Sequence, residues 1–490
     1  MNAAPQASEK DEVAARMTSI LQAQREDFLR EGQVSPEARI DRIDRSIDVL
    51  TRYANRLDEA LNSDFTCRPR QVNMMADVAG SVVAMKHSRK HLRKWMKAQR
   101  RPSMFPLGLL GARSRIEYQP LGVVGIIAPW NFPVAMVFHP MSGALAAGNR
   151  IMIKPSEYTP ATSEVIDAMV KDAFNTTEMA VFTGGPDVGV AFSNQPFDHL
   201  IFTGATSTAR HIMAAAAQNL VPVTLELGGK NPVVISRTAD LEKSLGRIMM
   251  GKTLNAGQIC AAPDYLLVPE EKLEDIIVQV EQVVAAMYPK LLNNPQYTSM
   301  INDRHYQRLN AYIDEAEKAG ARVITINPGN ENFSGQQRTF KIPPTLVVKP
   351  SARMKVLQDE LFGPVLPILT YDNFEETIDY INTQPRALAA YYFGSDAAEQ
   401  KALETRTTSG GMCINDVIMQ VSQEDLPFGG VGPSGMGNYH GLDGFRTFSH
   451  AKSIFSQTGI NIAKLGGMVP PYNKTTEKNI ASQLGNTGRA

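Results

Sequence analysis

The chain has 490 residues, 43% hydrophobic and 20% charged, the make-up of a soluble globular enzyme of two or three domains. Lysine plus arginine equals aspartate plus glutamate at 50 each, so no global field favours nucleic acid or an anionic membrane. Cys67, Cys260 and Cys413 are too few and too scattered for a disulfide framework or a zinc cluster; no metal is expected, and a reducing, cytoplasmic setting is.

The opening Met1-Asn2-Ala3-Ala4-Pro5 lacks the charged-then-apolar layout of a secretory leader. Helices dominate the first hundred or so residues. Ser35-Pro36-Glu37 offers a capping hydroxyl, a proline for the first helical position and an early acid, and Ile40, Ile43, Ile47 and Leu50 then recur on one face. The basic run 87–101 interleaves Lys90, Arg93, Lys94, Lys97, Arg100 and Arg101 with Leu92, Trp95 and Met96, which predicts a solvated helix face.

Residues 119–149 contain no Asp, Glu, Lys or Arg, the length of a membrane span. Pro120, Pro129, Pro133 and Pro140 break the run, so a buried strand, loop and helix fit it better. Short apolar runs at 123–128, 150–154, 179–183 and 200–203 then alternate with helical stretches at 141–147 and 162–174. That rhythm predicts a doubly wound parallel sheet. A second block begins near Val221, with strands at 232–235, 265–268 and 321–324, helices at 241–254 and 271–287, and a surface loop at 327–337. The tail after Ser456 is polar and predicts no C-terminal anchor.

Several motifs sit where these elements change. In Asn255-Ala256-Gly257-Gln258-Ile259-Cys260 the helix breaks and presents Cys260 at a turn, where backbone amides can lower a thiol pKa and supply a nucleophile. Taken alone, an isolated cysteine is more often a small inert hydrophobe, the reading kept for Cys67 and Cys413. Leu225-Glu226-Leu227-Gly228-Gly229-Lys230 sets an acid among apolar residues, which raises its pKa toward that of a general base; a surface glutamate before a turn is the alternative. Pro129-Trp130-Asn131-Phe132-Pro133 fixes an amide suited to an oxyanion hole, or a plain turn asparagine. Gly204, after a strand and before a helical run at 207–217, can receive a phosphate. Lys154 and Glu157 follow a strand end, where ligands bind in open α/β sheets. Glu360 and Phe362 lie in Asp359-Glu360-Leu361-Phe362-Gly363-Pro364, and 427–437 is a glycine loop, either mobile or tightly packed.

The order Pro-Trp-Asn-Phe-Pro, Lys-Pro-Ser-Glu, Phe-Thr-Gly, Glu-Leu-Gly-Gly-Lys, Gly-Gln-x-Cys, Glu-Leu-Phe-Gly-Pro, Pro-Phe-Gly-Gly resembles the aldehyde dehydrogenase superfamily from about Asp44 to Ser453. The stretches 257–265, 195–202 and 439–450 are similar to its class 3 branch, and within it to the bacterial coniferyl aldehyde dehydrogenase type.

The resemblance implies an α/β fold: a doubly wound cofactor domain (1–112 and 123–224, with 413–442 returning to it), a catalytic α/β domain (225–412), and a small bridging β element (113–122 and 443–460). It implies NAD(P)-dependent oxidation of an aromatic aldehyde such as coniferaldehyde, or of a medium-chain aliphatic one, to the acid. Cys260 would be the nucleophile, Asn131 the oxyanion donor with the Cys260 amide, and Glu226 the base for thioester hydrolysis. Trp130, Lys154, Glu157, Gly204, Glu360 and Phe362 would contact NAD, with NADP possible, and Asn415 matches a site-lining position. Relatives often carry Ser where this chain has Ala205, which removes one phosphate contact. A homodimer through strands at 113–119 and near 447–455 is implied as well. The rivals are a CoA-acylating relative and a non-catalytic protein on the same fold.

Overall fold

Apolar runs bounded by glycine and proline become strands in the computed structural model, which describes residues 9–336 and 339–485. The stretch read for a leader and Gln337 of the surface loop lie outside the described residues. The chain divides into two compact units, one of residues up to Leu92 with Pro120–Ser449, the other of Arg93–Gln119 with the residues from His450 on.

In the first unit, a six-stranded sheet uses β1 (Val123–Ile127), β2 (Arg150–Lys154), β3 (Met179–Val181), β4 (His199–Thr203) and β5 (Val223–Glu226). The first four are buried along their whole length, as strands covered on both faces must be. A seven-stranded sheet follows, with β6 (Pro232–Ile235), β7 (Tyr265–Pro269), β8 (Arg322–Thr325), β9 (Thr345–Val348), β10 (Val365–Tyr371), β11 (Ala389–Phe393) and β12 (Gly411–Ile414). The short β13 (Gly435–Met436) returns to the first sheet.

The strand orders are β13-β5-β4-β1-β2-β3 and β8-β9-β10-β7-β6-β11-β12. Every pairing is parallel except β13 with β5 and β8 with β9. From β1 the chain runs outward through β2 and β3, then returns to build β4 and β5 on the other side. The order therefore reverses between β1 and β4, the switch point where open sheets bind ligands.

Ser35 caps the helix Pro36–Arg52 by accepting from Ala38 N at 3.1 Å. Its core face is Ile43, Val49 and Leu50, while Ile40 and Ile47 are half-buried, a slight rotation from the expected stripe. The basic run forms the end of the helix Gly80–Trp95, and its last arginines enter the strand Gln99–Arg101. The uncharged stretch 119–149 is a strand, a loop and the helix Ala135–Ala147, which runs straight through Pro140 instead of starting after it. Burial on almost every side of that helix outweighs the proline's missing donor. Among the described residues no helix is long and apolar enough to cross a membrane.

Strands 322–325 and 179–181 differ from expectation by one or two residues at their ends. β5 belongs to the first sheet through Glu226, and Cys413 and Ile414 stay in the second, so the sheets exchange later than residues 225 and 413. Residues 93–112 group with the second unit rather than with the N-terminal helices. That unit contains a three-stranded sheet of Gln99–Arg101, Arg113–Pro120 and Ser449–Ser456.

Candidate active site

The helix Leu241–Thr253 ends where the backbone turns left-handed at three consecutive residues, Asn255 (φ 50°), Ala256 (φ 52°) and Gly257 (φ 73°). Such turns cost about 1–2 kcal/mol at each non-glycine residue and persist only when the surroundings over-determine them. Here they do. Asn255 Nδ2 donates to Asn131 O at 3.1 Å and to Gln258 O at 3.3 Å. Gln258 Nε2 donates to Asn255 O (2.9 Å) and Ser299 O (3.1 Å), and its Oε1 accepts from Ile301 N at 2.9 Å. A Cβ on Gly257 would sit 2.5 Å from Gly363 O, so the turn is pressed against the Glu-Leu-Phe-Gly-Pro segment. Asn231 Nδ2 holds Cys260 O (2.7 Å) and Ala262 O (2.9 Å), and its Oδ1 accepts from Ala389 N (2.9 Å).

Asn131 is buried at the end of the loop after β1, and its Nδ2 donates to Gln258 O at 3.1 Å. One of the two amide hydrogens is thereby used to fix the carboxamide against the cysteine loop. The other has no acceptor among the described residues.

Glu226 ends β5, with its backbone in register between Thr203 of β4 and Gly435 of β13. Leu227 N also donates to Ser434 O at 3.1 Å, so the glycine loop is packed rather than mobile here. The Glu226 side chain is buried and neither carboxyl oxygen has a well-formed hydrogen bond. Burial raises its pKa to about 8; the facing Cys260 thiol opposes the rise and Glu360 adds to it. Cys260 keeps part of its surface open, yet its thiol is raised well above a free cysteine, first by burial and then by Glu226 and Glu360. The expectation of an amide-lowered thiol is therefore corrected. One backbone hydrogen bond at Ala261 lowers it, too little to win.

Glu360 packs on the glycine pair after Glu226, and a Cβ on Gly228 would lie 2.1 Å from its carboxylate. Burial raises Glu360 to about 8, with Asp264 adding and the Gly229 N–H, Lys230 and Arg308 opposing. Arg308 holds the Glu360 and Leu361 carbonyls at 3.2 and 2.6 Å. Phe362 meets the Trp130 ring edge-on, centroids 5.2 Å apart, and the His305 ring lies 5.0 Å from that of Trp130. Lys154, buried at the end of β2, pairs with Glu157 at 2.6 Å.

The family model for the aldehyde dehydrogenase family matches residues 3–454. The chain belongs to the aldehyde dehydrogenase family. It is an NAD(P)-dependent aldehyde oxidoreductase. It is 52% identical to a probable coniferyl aldehyde dehydrogenase of Caulobacter vibrioides, covering 98% of this chain and 99% of the relative. It is 49% identical to a coniferyl aldehyde dehydrogenase of a Pseudomonas species, covering 94% and 95%. A substrate-bound Staphylococcus aureus AldH structure aligns at a TM-score of 0.87 and 33% identity, covering 95% of this chain and 99% of that one.

A dinucleotide fits the switch point of this dehydrogenase. The helix Thr206–Gln218 begins just past Gly204, and its N-cap Ala205 supplies no side-chain acceptor, so the first-turn N–H groups are left for an anion. Ala205 has no hydroxyl to offer at this helix start, and the Thr206 hydroxyl is already spent on Pro433 O at 3.0 Å.

Asn415 follows the seventh strand of the second sheet, β12. It is exposed, and its carboxamide exchanges hydrogen bonds with Gly394 N (2.8 Å) and Gly394 O (2.9 Å). Asn231, Gln258, Asn255 and His305 went unpredicted, because nothing local in the sequence marks which asparagine reaches a distant loop. A cavity of about 180 Å³ beside Ala261, walled by Leu388, Met412, Leu426 and Phe428, completes the surroundings.

Proposed function

We propose that this aldehyde dehydrogenase oxidises an aromatic aldehyde of the coniferaldehyde kind to its acid through a thioester on Cys260. The single observation carrying the mechanism is a buried Glu226 carboxyl, raised to about 8, facing a Cys260 thiol that burial and two carboxyls hold well above its ordinary value. The substrate class rests on the coniferyl aldehyde dehydrogenases it is similar to and on the apolar wall beside Ala261.

Glu226 takes the thiol proton, and the sulfur adds to the carbonyl carbon. The charge that develops on oxygen is met by the free N–H of Asn131 and the Cys260 amide, a donor of this kind being worth about 3–4 kcal/mol. The nicotinamide supplies the hydride acceptor that converts this adduct to a thioester. Glu226, having returned its first proton to solvent, then deprotonates a water; C–O forms, C–S breaks, and the carboxylate leaves. Trp130, Phe362 and Glu360 would hold the nicotinamide ribose end, Gly204 and the helix after it the pyrophosphate, Lys154 and Glu157 the adenosine ribose. Glu157 disfavours a 2′-phosphate, so NAD is the preferred cofactor. The six-stranded sheet region carries the dinucleotide, the seven-stranded one Cys260, and the three-stranded sheet pairs two copies in a homodimer, to be checked by light scattering.

The test is a panel of coniferaldehyde, benzaldehyde, hexanal and a fatty aldehyde with NAD and NADP. Coniferaldehyde with NAD should give the highest kcat/KM and a free acid product. Asn131→Ala should lower kcat by roughly hundreds-fold. NADH production surviving in Cys260→Ala would refute the mechanism, and acyl-CoA as product would replace hydrolysis by thiolysis.

A further inference from the structure

The loop that presents Asn131 is braced by a charged pair from the N-terminal helices. Arg68 and Asp77 have fully buried side chains, Nη1 to Oδ2 2.8 Å. A buried ion pair is commonly no more stabilising than apolar residues of the same volume, so its presence calls for something that it holds in place. Asp77 Oδ1 accepts from both Val134 N and Ala135 N at 3.0 Å, capping the helix Ala135–Ala147, whose own N-cap Val134 has no side-chain acceptor. The Arg68 guanidinium lies over the rings of both Phe65 and Phe132, 4.8 and 4.9 Å from their centroids. Phe65 in turn packs against Trp130 at 6.3 Å. The residues on both sides of Asn131 are thus held by one guanidinium, and the chain just beyond them by its carboxylate partner.

Two further observations point the same way. Asp77 belongs to a seven-residue π-helical stretch, Asn73–Ala79. Such wide turns are rare and are frequently found at functional sites. The neighbouring Cys67 O accepts from Ser299 N at 2.9 Å, and Ser299 O accepts from Gln258 Nε2 at 3.1 Å. Gln258 O is itself the acceptor of the Asn131 amide. Residues 65–68 therefore brace the asparagine loop and the cysteine loop from one place.

We infer that Arg68 and Asp77 are positioning residues for aldehyde oxidation: without touching substrate or cofactor, the pair sets where the Asn131 amide points at the reacting oxygen. The inference rests on reading Asn131 as the oxyanion donor. Removing both charges together, Arg68→Met with Asp77→Asn, avoids stranding one ion and keeps an oxygen to cap the helix. This double variant should lose at least tenfold in kcat, with the aldehyde KM and the Kd for NAD by calorimetry within twofold of wild type. In an Asn131→Ala background the same two changes should cost less than twofold, because the group they position is gone.

Wild-type kcat in Asn131→Ala itself would remove the oxyanion reading and this inference with it. A hundreds-fold loss there, with wild-type kcat in the charge-free variant, would overturn only the positioning role. Losses that multiply in the combined variant would overturn it too, since they mean that the pair acts on something other than Asn131. Should the charge-free variant not fold, Arg68→Lys retains the charge but not the planar guanidinium over Phe65 and Phe132. Its expected several-fold loss of kcat must likewise vanish in Asn131→Ala, and the positioning role is overturned if it persists there.

Discussion

Replacing Glu226 by glutamine tests the site most directly, because burial has given this carboxyl an unusual pKa of about 8. At that value about one molecule in ten carries the carboxylate at pH 7 and about nine in ten at pH 9. If Glu226 is the base for hydrolysis, kcat of the wild type should climb about tenfold between those two conditions and level off above them. Glu226→Gln should lose roughly a thousandfold in kcat, within the usual worth of a positioned base, together with the rise through pH 8. Stopped-flow absorbance of NADH separates the steps. The variant should release up to one equivalent slowly and then stall, with the acyl group found on Cys260 by mass spectrometry.

The same shift carries a stability signature of definite sign. The folded state holds the Glu226 proton more tightly than the unfolded chain, whose value is 4.5. The contribution is therefore fully present below pH 4.5 and lost as pH rises through 8. Glutamine removes that loss, so its stability advantage over wild type should widen by roughly 2 to 3 kcal/mol from pH 6 to pH 9. A flat wild-type kcat from pH 6 to 9, or a variant turning over at a tenth of the wild-type rate, would refute the reasoning.

Other outcomes follow from neighbouring contacts. Gly228→Ala places a methyl group about 2.1 Å from the Glu360 carboxylate and must displace it, so Kd for NAD in a fluorescence titration should rise about tenfold while Tm changes little; an unchanged Kd would remove Glu360 from the cofactor site. Glu157→Gln frees Lys154 from its 2.6 Å partner and removes the nearby negative charge, so the NADP-to-NAD ratio of kcat/KM should increase about tenfold, and a falling ratio would overturn the adenosine-ribose assignment. Because the Cys260 thiol is held above its ordinary value, iodoacetamide should label it in the free enzyme at a rate still rising at pH 9; a plateau below pH 8 would mean the thiolate is already formed.

Much of this architecture is legible in the sequence because its signals are local. Ser35 with Pro36 marks a helix start, and glycine- and proline-bounded apolar runs mark β1, β2 and β4, whose burial needs no partner to be named. The residues proposed to react are legible for a different reason: Cys260, Glu226 and Asn131 sit in motifs dense enough to resemble a family. What holds them in place is not. Nothing local marks Asn231, which ties Cys260 O to Ala389 N, or the Arg68–Asp77 pair. Each acts across more than fifty residues of sequence or through a π-turn, and no periodicity encodes that.

The thiol shows why environment, not motif, sets the chemistry. A turn of backbone amides suggests an acidic cysteine, but those amides compete here with burial and with two carboxyls, Glu226 and Glu360, in the same space. Three acids so placed cannot all ionise, since each added charge meets the last in poorly solvated surroundings. Moving one proton from Cys260 to an ionised Glu226 leaves the number of buried charges unchanged, whereas releasing it to solvent adds one. A thiol raised well above its ordinary value and a carboxyl near 8 therefore belong together, and under the proposed mechanism the acid receives the proton that the sulfur loses.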